Sequence, residues 1–297
     1  NKKVVPGLYA AGECACVSPT QIAYLNSSKQ FNALTTDQLA AITTAQFKTL
    51  TSAQIAELTT DQVAGLTKSQ LAVMTSPQLN AMSSATLKAL TTDQLRALNV
   101  STLSKLASTQ AALLTTDQVS SLTTTQVRVL STDQLKAFDS AQMASMTTGQ
   151  MAALSAAQFN AVDSADLKAM TASQITALTT AALGKADTDH IAALTTSQVA
   201  SLSTLQLKSL GAAAMSAMTS DQVMSLTTTQ VANLSTSQFN SLDSTDVHVM
   251  SADQIKVLSN SVISKMGEDQ EAALTSEQVA ALTQTQIRSL TTAQIAN

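Results

Sequence analysis

The chain has 297 residues, 44% of them hydrophobic but only 2% aromatic and none Trp, with a formal charge of −4 and a pI near 5.1. An acidic balance of this kind argues against a phosphate-binding surface, so nucleic acid is not an expected partner, and no run of about 18 apolar residues exists to cross a membrane. The two Cys, Cys14 and Cys16, are too few for a disulfide scaffold.

Residues 1–16 form a non-repeat segment. They begin at Asn1 without a Met or a secretory apolar stretch, which points to a mature fragment. Cys14-Ala15-Cys16 stands without further Cys or a nearby His, a weak pattern for a metal. The run Val4-Val5-Pro6-Gly7-Leu8-Tyr9-Ala10-Ala11-Gly12-Glu13-Cys14-Ala15-Cys16-Val17-Ser18 resembles a segment of the succinate dehydrogenase/fumarate reductase flavoprotein subunit. The resemblance places Gly12 and Glu13 where that family holds FAD. The family's following His-Gly-Ala-Asn-Arg-Leu-Gly run is missing, because Pro19 follows Ser18, and no Gly-x-Gly-x-x-Gly occurs. No cofactor is therefore expected, and flavoenzyme activity of a fragment is the remotest of the functional readings.

Residues 17–297 read as an octapeptide array. It opens with Val17-Ser18-Pro19-Thr20-Gln21-Ile22, where Pro takes the first helical position. Nine residues separate Leu25 from Leu34, and from Leu34 onward 33 octads run without insertion or deletion to Asn297. Position 1 is apolar throughout (Leu34, Ile42, Leu50), and position 6 is apolar (Leu39, Phe47, Ile55) in every octad except where Glu271 stands. One continuous helix cannot keep such a stripe, since eight residues at about 100° each put it about 80° out of register per repeat. The helix has to restart in every octad.

Positions 2 and 5 supply the restart. Position 2 is Ser, Thr, Asp or Asn in 30 of 33 octads, the exceptions being Ala107, Gly211 and Gly267, and position 5 is Gln in 25. Thr35 with Gln38 and Thr43 with Gln46 are then capping boxes, and positions 1 and 6 form a hydrophobic staple. Charges agree with this phase: 17 of 20 acids fall in the first turn, and 12 of 16 Lys and Arg fall at positions 7 and 8. That is the distribution a short helix dipole favours. A β-solenoid with Thr ladders is the alternative, but it predicts β-branched residues on the repeated face and Gly at the corners, and only 7 Gly occur.

The expected fold is thus an all-α solenoid of short capped helices, of either hand, with two aliphatic ribs and a Ser/Thr/Ala/Gln exterior. Two buried side chains per octad, worth about 1.5–3 kcal/mol each, do not offset the ordering of eight residues, so stability has to come from stacking. A longer period of 80 residues is also present. Asn80, Asn160 and Asn240 recur at that spacing, as do the octads ending in Lys105, Lys185 and Lys265.

Candidate chemistry is sparse. His190 takes the place of a capping Gln and His248 that of a position 7 base, and both read as structural. Asp166 and Asp246 replace Gln, with Asp163 and Asp243 at the caps; the Gly-containing Ca²⁺ loop is absent, so dipole complementarity accounts for them and no metal is expected. Ten of the 11 Met sit at positions 1 or 6, as core. Leu-Thr-Thr-Asp-Gln-Val is similar to the opening of TAL-effector repeats, without their longer unit or base-reading loop. In composition the array resembles the low-complexity repeats of long bacterial surface and secreted proteins. The expected function is a non-enzymatic, structural or adhesive one, an extracellular or cell-surface rod or filament formed by end-to-end assembly with itself. A protein-binding scaffold displaying Lys88 and Lys168 is the alternative.

Overall fold

The computed structural model describes residues 33–296. Among them are 33 short helices, from Thr36–Ala40 to Thr292–Ala296, and no strand. The expected all-α array is therefore present, with one helix of four to six residues per octad.

Each helix starts and stops for local reasons. At the second one, Thr44–Thr49, the Thr43 backbone is extended (φ −64°, ψ 156°) and its Oγ1 accepts from the Gln46 N–H at 3.3 Å. The Gln46 Oε1 returns the bond to the Thr43 N–H at 2.9 Å. At the other end the Leu50 N–H donates to the Phe47 carbonyl, and Leu50 turns extended at φ −58°, ψ 136°. Two extended residues, positions 1 and 2, make the corner between consecutive helices. Because φ stays negative there, the corner needs no glycine, which is why seven suffice for the whole chain.

The chain divides into two compact units, residues 1–146 and 147–297. Within each, helices pack on the third one along. In the first unit Thr44–Thr49 packs on Lys68–Val73, which packs on Thr92–Ala97, then Thr116–Ser121, then Ser140–Ser145. In the second, Thr148–Met151 leads by the same step through Ala172–Thr176, Thr196–Ser201 and Ser220–Met224 to Ser244–Val249 and Glu268–Ala272. One turn of the solenoid is thus three octads, 3 × 8 = 24 residues.

The core is the pair of aliphatic ribs. Position 6 is sealed: Leu39, Phe47, Ile55, Phe159 and Phe239 are all at 0% exposure, and Leu50 at position 1 is at 4%. Leu34 and Ile42, at position 1 of the first described turn, are only partly covered. One expectation needs correcting. Gln at position 5 is not part of the exterior but is buried in nearly every octad, alongside the ribs. So many Gln side chains do not enter a core unless their hydrogen bonds are met there, and those bonds join the turns.

Candidate functional site

The buried Gln joins two turns. Gln134 accepts the Ser131 N–H on its Oε1 at 2.7 Å, and its Nε2 donates to the Leu103 and Leu106 carbonyls at 2.9 and 2.7 Å, one turn earlier. Gln94, Gln222 and Gln278 repeat the pattern on Val63 and Leu66, Ile191 and Leu194, and Val247 and Met250. A helix leaves its first N–H groups and last carbonyls without partners. One Gln serves both kinds at once, closing the start of its own helix and the end of a helix beneath it. The sequence carried a signal for this: a capping box tolerates Glu as well as Gln, yet position 5 is never Glu. Only the amide can accept and donate.

Substitutions at position 5 keep or lose parts of this function. Thr102 donates to the Met74 carbonyl at 2.7 Å. The His190 ring, 8% exposed, uses Nε2 for the Val162 carbonyl at 2.8 Å and lies 5.5 Å from the Phe159 ring. His190 therefore replaces the bond between turns rather than the one to the cap. His248 is exposed, with Nδ1 3.1 Å from the Ala273 carbonyl one turn on.

Asp166 and Asp246 are the charged residues buried at position 5, and the second of them is shifted in its titration. Asp246 accepts from the Ser220 hydroxyl at 2.9 Å and from the Asp243 N–H at 3.3 Å, while Asp243 accepts the Asp246 N–H at 2.8 Å. Burial pushes its carboxyl above the usual range, against the lowering by the Ser220 and Asp243 bonds. The folded chain then holds this proton to higher pH than the unfolded chain does. The ionised group accordingly destabilises the fold above its raised value, and the penalty disappears below the ordinary 3.8. Asp246→Asn is expected to raise the thermal midpoint at neutral pH by a few degrees and to leave it unchanged under strongly acidic conditions; paired melting curves across that range check it. Asp93 shifts the opposite way, its carboxyl held low by the Lys68 ammonium at 2.7 Å on the open surface.

A groove of about 470 Å³ lies between the turns at Asn240, Asp243, Gly267, Glu268, Asp269 and Gln270. Its acids are the first-turn residues that the helix dipole favours, and beside it the Glu271 carboxyl is raised by burial and by Glu268. No group of three or more His, Cys, Asp or Glu placed to hold a metal occurs among the described residues. No helix among them is long and apolar enough to cross a membrane. Gly12, Glu13, Cys14 and Cys16 lie outside the described residues.

With the octad geometry known, the family comparison can be placed on it. The chain is similar to the ALTTAQ repeat. That family's model matches residues 31–68, 39–76, 120–148, 159–196 and 191–228. The six letters run from position 8 of one octad to position 5 of the next, as in Ala41-Ile42-Thr43-Thr44-Ala45-Gln46. They span the corner, the cap and the buried Gln, the residues that build the ladder of bonds between turns. Residues 4–18 lie outside the matched stretches. No curated protein matches the chain.

Proposed function

We propose that the array is a structural or adhesive repeat protein, acting outside the cell or at its surface, that builds a rod or filament by stacking turns end to end. One observation carries this reading. In interior turns the position 6 side chains, such as Leu103, Val127 and Ile175, are at 0% exposure. In the interior that face is covered by another turn of the same repeat, whose Gln side chains donate to its carbonyls. The complementary surface for it is thus one the chain already makes many times over, and a second copy can provide it.

Sedimentation velocity over a wide concentration range tests the proposal. The expected result is association that grows with concentration and is abolished in a Val279→Lys/Ile287→Lys variant. A monomer at every concentration would count decisively against end-to-end assembly.

A further inference from the structure

The octads are not equally well built, and among the weaker ones three consecutive pairs recur 80 residues apart. The pairs are 98–113, 178–193 and 258–273. In the first member of each pair, position 5 is Thr102, Ala182 or Val262 in place of Gln. Thr102 makes one bond to the turn below where a Gln makes two, and Ala182 and Val262 have no polar side-chain atom to make any. In the second member, Ala107, Asp187 and Gly267 give the helix no side-chain cap. The apolar ribs weaken at the same places, through Ala111, Ala186 and Glu271.

An asparagine one turn earlier straps each pair. Asn80, Asn160 and Asn240 donate Nδ2 to the Lys105, Lys185 and Lys265 carbonyls at 2.9, 2.9 and 2.8 Å, all on the exposed surface. In the first two pairs the strap has a side effect. The Asn80 and Asn160 Oδ1 atoms take the Ala107 and Asp187 N–H groups at 2.8 and 3.2 Å. Those are the donors that a position 5 acceptor normally receives. Gln110 Oε1 and His190 Nδ1 are left buried without a protein partner, and they are the two such side-chain atoms among the described residues.

We infer that these three octad pairs are built-in opening points, at which the solenoid loosens locally before the turns on either side do. Several independent weaknesses meet in each pair: lost bonds between turns, a missing cap, a thinned rib, and in two of them a buried acceptor without a donor. What replaces them is a hydrogen bond exposed to water, which exchanges readily with solvent. The octad 210–217, with Gly211 and Ala214 in place of cap and Gln, is flanked in sequence by octads whose Gln206 and Gln222 make their full sets of bonds. Its helix Ala212–Ser216 packs on Thr188–Ala193, so its missing Gln adds to the weakness of the second pair. This inference concerns opening within one chain and stands whether or not chains stack end to end.

Hydrogen exchange of the unmodified chain, read by mass spectrometry octad by octad, tests it. Amides in the three pairs are expected to exchange at least about tenfold faster than those in the octads flanking them in sequence. A second measurement uses Ala182→Gln/Ala186→Leu/Asp187→Thr/His190→Gln, which restores the common residues. Protection should rise at 178–193 and stay low at 98–113 and 258–273. Uniform protection along the interior, or loss graded only from the two ends, would overturn the inference without any variant. So would a folded variant whose 178–193 exchange is unchanged.

Discussion

Gln134→Met is expected to destabilise the first unit by about 3–5 kcal/mol. The substitution keeps length, volume and apolar stem, so no cavity opens, but it leaves the Ser131 N–H and the Leu106 carbonyl without their partner and the Leu103 carbonyl with the Leu106 N–H alone. Each buried group left unpaired costs about 1–3 kcal/mol, with some relief from local adjustment. Gln134→Glu separates the two roles of this residue. Glutamate completes a capping box as well as glutamine does, so a side chain needed only as a cap would tolerate the change. Because the Nε2 faces two carbonyl oxygens, Gln134→Glu should instead lose about as much as Gln134→Met. Gln294 provides the opposite control. It lies in the last described turn with a partly exposed side chain, and its Nε2 donates to the Ile263 carbonyl of the turn below at 2.9 Å, so Gln294→Met should cost less than about 1 kcal/mol. Denaturant unfolding followed by circular dichroism gives all three.

Phe239→Ala is expected to cost about 3–5 kcal/mol, the range for emptying a sealed aromatic site. Phe239 is at 0% exposure, and its carbonyl also receives the Gln270 amide at 3.0 Å, so a collapsing side chain disturbs the ladder above it. Phe239→Leu should cost less than about 1.5 kcal/mol. The chain itself contains that comparison: Leu79 occupies the equivalent position two blocks earlier and is equally buried. Thermal unfolding of the two variants side by side distinguishes volume from aromatic character; equal losses would mean that the ring itself is needed.

The octad made the local structure legible. Apolar positions 1 and 6, the Thr43–Gln46 type of box and the placement of acids and bases all speak of a helix restarted every eight residues, and the helices begin where those residues place them. The number of octads per turn was not legible, because it depends on how far each extended corner such as Leu50-Thr51 swings the chain, and several corner angles fit the same pattern. Burial of Gln was missed for a related reason. A residue read as a cap satisfies one helix, and only the stacked geometry reveals that its amide reaches carbonyls 28 and 31 residues back. The recurrence of Asn160 with Lys185 was visible as duplication, whereas its cause, a strap across one turn, required coordinates.

Ten octads to a block and three to a turn have no common divisor, and this sets a limit on what duplication can draw on the surface. In the second unit the octads beginning at Leu178 and Leu258 are block equivalents, yet they stand in different rows of stacked helices, each block moving its features one row on. The array works like a vernier. Within a unit, a residue copied with the block lands in a different row each time, so duplication spreads a given mark around the turns instead of lining it up. A partner that needed a straight track of identical side chains would find it in the octad pattern, and not in anything the block adds.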